Sequence, residues 1–308
     1  MSDPLISIIL RSYNEAWALR ETLPALRAQD YANWELIVID SGSTDGSVEL
    51  IKDFKPRIFE QITPSQYVAP RIMNRGVQLA QSNSCIFLNA DATPQGTNWL
   101  RDLAKPLLSP GTAAVFGRQI PRLNCQAVYA CDYDRCFGNN RESANWDHFF
   151  SMVSSGIRKD VWCQRGFNEK LQYAEDDEWT RWAKSQGYQV VYVPESIVMH
   201  SHNYTAAQAY KRSFGDARAL AACWEGDPSH FNFNRTVLFG CVSDLKKDLQ
   251  FCASQGRWLE LPHAARIRWT QRRGKLDGFR SGWNDYRRKT NEPARLDEPL
   301  PAALRGRI

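Results

Sequence analysis

Three short, almost wholly apolar runs in the N-terminal third each stop abruptly at a polar cluster. Residues 5–10 lead into Ser12-Tyr13-Asn14-Glu15, residues 35–40 into Asp40-Ser41-Gly42-Ser43, and residues 84–88 into Asn89-Ala90-Asp91. Runs this short and this continuous suit strands covered on both faces. Between them, Ala16, Leu19, Leu23 and Leu26 recur at helical spacing, Ser43-Thr44-Asp45-Gly46-Ser47 caps a second helix, and residues 71–80 predict a third. A more exposed strand over 57–62, a helix over 97–107 and a short strand over 113–117 extend the alternation. Strands alternating with helices argue for the α/β class, a sheet flanked by helices. The polar clusters then fall at the C-terminal ends of strands, where open α/β sheets bind ligands.

Later segments follow a different pattern. Residues 121–150 are rich in Asn, Arg, Cys and Tyr and read as an insertion or a loop lining an acceptor. An acidic helix is predicted over 175–186 and stopped by Gly187, followed by a strand over 188–193 closed by Pro194. Helices are then expected at about 205–222, 235–254 and 263–289, the last broken at Gly274 and Gly278. The division is an α/β domain over 1–204, a helical region over 205–290, and a proline-containing tail over 291–308 that is expected to be disordered.

Charge is distributed unevenly. The chain carries a net +5, yet residues 257–308 hold thirteen Lys/Arg against six Asp/Glu, a net of +7, which leaves −2 for residues 1–256. Arg266, Arg268, Trp269, Arg272, Arg273 and Lys275 combine cations with an aromatic, which suits either a solvated helix face or an anionic membrane surface. No nucleic-acid motif accompanies them, so nucleic acid is not an expected partner. Met1-Ser2-Asp3-Pro4 lacks a basic leader, and no stretch reaches 18 apolar residues. The eight cysteines form no CxxC pair, so reduced thiols and a cytoplasmic location are expected.

Chemistry concentrates in Tyr173-Ala174-Glu175-Asp176-Asp177-Glu178-Trp179. Acids favour a helix N-terminus, but four exceed what capping needs. Crowded carboxylates repel, and one can be tuned to accept a proton near neutral pH. The Asn89-Ala90-Asp91 cluster and the pair His200 and His202 supply further ligating groups.

With these residues in view, the chain resembles the family 2 glycosyltransferases, which have the GT-A fold, over roughly residues 5–215. Ile8-Ile9-Leu10-Arg11-Ser12-Tyr13-Asn14-Glu15 and Val38-Ile39-Asp40-Ser41-Gly42-Ser43-Thr44-Asp45-Gly46-Ser47 resemble the family's nucleotide-site segments. The acidic segment and His200-Ser201-His202-Asn203-Tyr204 are most similar to the bacterial rhamnosyltransferase-like branch. The resemblance implies an inverting glycosyltransferase acting on a dTDP- or UDP-linked sugar and a saccharide or lipid-linked acceptor, in cell-surface polysaccharide synthesis. It places Asp40 on the base, and Ser12, Tyr13 and Glu15 on base and ribose. The family has two aspartates, one residue apart, after the fourth strand; here the first is Asn89, so its ribose and metal contacts are in question and Asp91 is the expected ligand of Mg2+ or Mn2+. His200 matches the histidine that completes the metal site, and His202 a diphosphate or metal contact. Asp176 is the implied general base and Glu175 its orienting partner, with Asp177 and Glu178 solvent-facing or capping. Arg71 is a possible diphosphate contact, and Trp179 or Trp182 either stacks on an acceptor sugar or packs in the core. A non-catalytic nucleotide-sugar or glycan-binding protein is the competing reading, supported by Asn89. A dinucleotide oxidoreductase is disfavoured, because Leu10-Arg11-Ser12-Tyr13-Asn14 lacks a glycine-rich turn.

Overall fold

The computed structural model describes residues 3–139, 141–171, 173–223 and 228–285. It divides into two units: residues 1–122, 133–169 and 175–200 form the first, and residues 123–132, 170–174 and those from 201 onward form the second. The call of a disordered tail over 291–308 lies outside the described residues.

The first unit is built from β1 (Ile6–Ser12), α1 (Ala16–Arg27), β2 (Trp34–Asp40), α2 (Ser47–Phe54), β3 (Ile58–Gln61), α3 (Ala69–Leu79), β4 (Ser84–Asn89), β5 (Thr93–Pro94), α4 (Trp99–Ala104) and β6 (Thr112–Ile120). Then come α5 (Ala127–Phe137), which begins in the second unit, β7 (Ser154–Arg158), α6 (Lys159–Trp162), α7 (Glu175–Ser185) and β8 (Gln189–Met199). The sheet has eight strands in the order β3-β2-β1-β4-β7-β6-β8-β5. β1 pairs in parallel with β2 and β4, whereas β7 runs antiparallel to β4 and β6. Ile8, Leu10, Val38, Ile86 and Leu88 pack on one face with Leu19 and Leu23 of α1 and Trp99 of α4. Ile9, Ile37 and Phe87 pack on the other with Met73 and Val77 of α3 and Trp179 of α7. Burial on both sides is why these strands read as continuous apolar runs. The chain moves from β1 outward to β2 and β3, then returns to place β4 on the other side of β1. That reversal makes the C-terminal edge of β1 and β4 the switch point at which such sheets hold ligands.

Two local expectations change. Residues 127–137, read as loop, form α5; its buried residues include the small Ala127, Ala130 and Cys131, so its apolar stripe is weak in the sequence. Pro194 does not close the last strand. β8 bulges there, with Val193 opposite Gly117 but Ile197 opposite Arg118, and runs on to Met199. A bulge accommodates the missing proline N–H and keeps the ladder going.

The second unit contains α8 (Ala206–Cys223), a π-helical segment Phe233–Phe239, α9 (Gly240–Gln255) and α10 (Leu261–Trp283). α10 is unbroken at Gly274 and Gly278. With Gly282 they form a stripe at every fourth position, and a Cβ on Gly278 would lie 2.1 Å from the Phe214 carbonyl of α8. These glycines allow close helix packing rather than ending the helix. The basic face expected on α10 is also largely closed. Arg268 is buried between Asp248 and Asp132, Arg272 pairs with Asp244, and Arg273 with Asp277. Burial draws the Lys275 ammonium below the usual lysine range. No described helix is long and apolar enough to cross a membrane.

Candidate active site

The site forms where β1, β4 and β8 end. β5 pairs antiparallel with β8, Thr93 opposite Met199, so Asp91 just before β5 meets His200 just after β8. His200 Nε2 lies 3.5 Å from Asp91 Oδ2, with both side chains buried. Around His200, Nδ1 is 2.9 Å from Gln119 Oε1 and 3.0 Å from the Tyr133 hydroxyl. Gln119 Nε2 in turn donates to Ser151 Oγ at 2.7 Å, which turns Oε1 toward the ring. That assignment puts the proton on Nδ1 and leaves the Nε2 lone pair facing Asp91, as in an oriented metal-ligating imidazole. One carboxylate oxygen and one imidazole nitrogen fit a divalent ion whose remaining ligands come from a substrate, and the nitrogen favours Mn2+ over Mg2+. His202, two residues on, belongs to the second unit, where its ring lies 5.4 Å from Tyr204.

Beside Asp91, Glu15 is half-buried and its pKa is raised to about 8, by desolvation first and by the Asp91 charge second. Asp176, half-buried in the first turn of α7, is pushed up to about 6, chiefly by desolvation. Ala174, just before this turn, has φ +58, a left-handed conformation costly for a residue with a Cβ. A carboxylate near pH 6 can take a proton from an attacking hydroxyl and is still ionised at neutral pH.

The other acids of α7 have partners. Asp177 pairs with Arg181 and lies 3.3 Å from His148, and Glu178 pairs with Arg165. Neither is simply solvent-facing. Glu175 is buried at the head of the same helix. Asp40 is fully buried, and its carboxylate accepts from Gly42 N, Ser43 N, Ser43 Oγ and Gln61 Nε2. It anchors the loop that carries Ser43, whose hydroxyl in turn accepts from Asn14 N at 2.8 Å. Asp45, not singled out in the sequence, ties the start of α1 to this loop by accepting from Ala16 N. Ser12 is buried and its hydroxyl has no hydrogen-bond partner, while Tyr13 is half-buried next to it.

Two expected site residues stand elsewhere. Trp179 is fully buried, donates Nε1 to the Arg165 carbonyl and packs on Phe167, so it is a core residue with no free face for a sugar. Arg71 is exposed and pairs with Glu169 at 3.3 Å on the surface. Conversely, Gln119, Tyr133 and Arg11 were missed. Gln119 and Tyr133 lie far from any motif in the sequence. Arg11 gave a signal, being a cation at the end of an apolar strand directly before a polar cluster.

Residues 7–163 match glycosyl transferase family 2. The chain is 31% identical over 229 residues to the O-antigen chain rhamnosyltransferase RfbN of Salmonella typhimurium, covering 71% of this chain and 73% of that one. It is 29% identical over 232 residues to the O-antigen chain rhamnosyltransferase WbaN of Salmonella anatum, with the same coverage. Among solved structures, it resembles the mannosyltransferase PcManGT of Pyrobaculum calidifontis in complex with GDP-Man and Mn2+, with a TM-score of 0.63 at 18% identity over 91% of this chain and 88% of that one. S. aureus TarS 1–349 in complex with UDP-GlcNAc gives 0.53 at 17% identity over 92% of each chain. An α/β chain with ligating groups at the switch point of a mixed sheet is thus a GT-A protein. It belongs to glycosyl transferase family 2 and is a glycosyltransferase.

Proposed function

We propose that this chain transfers a sugar, with inversion, from a nucleotide-diphosphate donor to a hydroxyl of a saccharide or lipid-linked acceptor during cell-surface polysaccharide assembly. Similarity to two O-antigen rhamnosyltransferases supports a rhamnosyl donor, dTDP- or UDP-linked. The observations that carry the mechanism are the carboxyl of Asp176, raised to about 6 and facing the Arg11 charge that also acts on Glu15 beside Asp91, and the oriented Asp91–His200 pair. The acceptor oxygen attacks the anomeric carbon and its proton passes to Asp176. The bond from that carbon to the diphosphate oxygen breaks, and the electron pair leaves with the diphosphate. Asp91 and His200 would hold the Mn2+ or Mg2+ ion. When bound, that ion supplies positive charge to the departing diphosphate. Ser12, Tyr13, Glu15 and Asn89 line the nucleoside side, and Glu175 supports the base. A panel of nucleotide sugars with Mn2+, followed by NMR of the product's anomeric centre, tests this. An inverted product supports it; a retained product overturns the single displacement, and donor binding with neither transfer nor hydrolysis favours the alternative of a non-catalytic binding protein.

The protein works at the inner face of the cell membrane, in this reading, through the second unit. With the ion pairs of α10 closed, the attachment surface in this reading is α9 together with the π-helical turn that leads into it. Leu238, Phe239, Val242 and Leu249 are exposed at helical spacing, with Phe239 70% and Val242 67% accessible. Arg235 and Lys246 are exposed in the same segment, whereas its acids Asp244 and Asp248 are buried in ion pairs. Apolar side chains flanked by cations suit an anionic lipid surface. Sedimentation with vesicles should increase with anionic lipid and fall in Phe239→Ser/Val242→Ser; unchanged sedimentation of that variant removes α9 from the contact.

A further inference from the structure

Arg11, next to last in β1, is in register with Asn89 of β4, and its Nη2 donates to Asn89 Oδ1 at 2.6 Å. A guanidinium has five N–H donors. Nε is buried without an acceptor, and the Arg11 side chain makes no other hydrogen bond among the described residues. Ser12 Oγ, the next side chain, is a second buried polar atom without a partner. Buried polar atoms are nearly always satisfied, so an orphaned guanidinium nitrogen at the switch point calls for a ligand on the Arg11 face of the sheet, while Ser12, next in the strand, faces the other side. The identity of residue 89 fixes which kind. A carboxylate there would form an ion pair with Arg11 and cancel its charge. The Asn89 amide orients the guanidinium and leaves the positive charge in place. Residue 89 is two positions from Asp91, at most about 7 Å of chain. Arg11 therefore stands beside the ion site, its charge drawing down the carboxyls of both Asp176 and Glu15.

We propose that Arg11, held by Asn89, is a donor-binding residue that hydrogen-bonds an anionic oxygen of the donor's diphosphate and takes over part of the charge compensation otherwise supplied by the divalent ion. The inference rests on the donor-site reading above. The absence of the first acid at residue 89 and the presence of a cation at residue 11 are then one feature. Its consequence is that the nucleotide diphosphate keeps measurable affinity when no metal is present.

Isothermal titration with UDP, dTDP, GDP and inorganic pyrophosphate, each in EDTA and in Mn2+, tests this on the full chain. Arg11→Met should weaken diphosphate binding at least tenfold in EDTA, and Arg11→Lys less. Asn89→Asp, which leaves Arg11 in place but pairs it, should also weaken binding in EDTA while making the Mn2+-dependent gain larger. Melting curves establish that each variant is folded; if Arg11→Met is not, Arg11→Lys and Asn89→Asp carry the test. Wild-type affinities in EDTA for the folded variants overturn the proposal. So does an equal loss of affinity for uridine or thymidine, which carry no phosphate. Absence of diphosphate binding by the wild type, with or without Mn2+, sinks the donor-site reading itself; wild-type binding in Mn2+ with no effect of residues 11 and 89 sinks only the role of Arg11.

Discussion

Arg11 and Arg268 are both arginines set among carboxylates, and the protein treats them in opposite ways. In the second unit, Arg268 donates from Nε and Nη2 to Asp248, from Nη1 to Asp132 and Gln271, and from Nη2 to the Val128 carbonyl. Although burial opposes its charge, these bonds hold its pKa above the usual arginine range. In the first unit, the Arg11 side chain has one hydrogen bond and a buried Nε with none. A fold that closes every donor on itself has made a structural cation. A fold that leaves donors open at a sheet switch point has left them for something that binds there.

The largest effect expected is at the base. Asp176→Asn should lower transfer roughly 10²–10⁴-fold while donor affinity stays within about twofold. Wild-type turnover by this variant removes Asp176 from the mechanism. On the structural side of the comparison, Arg268→Met leaves Asp248 buried without its partner and should cost about 3–5 kcal/mol of stability, read by denaturant melts. An unchanged melt would place Arg268 with Arg11 rather than opposite it. Between these extremes, Gln119→Leu removes the group that orients His200. It should weaken Mn2+ binding in the presence of nucleotide about 10–100-fold with little change in melting. An equal loss of stability and metal affinity would make Gln119 merely structural.

The smallest effect on turnover is in the pH response. Asp176 must be ionised to accept a proton, so turnover should fall about tenfold per pH unit below about 6. Because its folded pKa is raised, the stability it contributes is present at acid pH and is lost as pH rises through about 6. Asp176→Asn should therefore be more stable than wild type at pH 8, by roughly 3 kcal/mol, and not at pH 4. A stability difference independent of pH would contradict the strained carboxyl.

Much of the first unit was legible because its parallel strands are buried on both faces and end at polar clusters. The antiparallel β7 was not, since Ser154, Ser155 and Gly156 carry no strand-like apolar pattern and are buried by their neighbours. Pro194 and the glycines of α10 misled for a common reason. Each is a breaker locally, and each is used by tertiary structure, for a bulge and for close helix contact. Within the site, Asp91, Asp176 and His200 were readable as residue types in a motif. Only the family resemblance brought Asp91 and His200 together, because the short β5–β8 pairing that joins them involves only two residue pairs. Trp179 shows the reverse: a plausible ligand contact in sequence, it is taken up by the core.

The account rests on the claim that Asp91 and His200 form an incomplete cation site which the donor's diphosphate completes. Titration of Mn2+ into the wild-type protein, alone and with saturating nucleoside diphosphate, tests it most directly. The account predicts weak binding by the protein alone and at least tenfold tighter binding with the nucleotide, the gain being lost in Asp91→Asn. Equal affinity with and without nucleotide, or tight binding that survives Asp91→Asn, would contradict it.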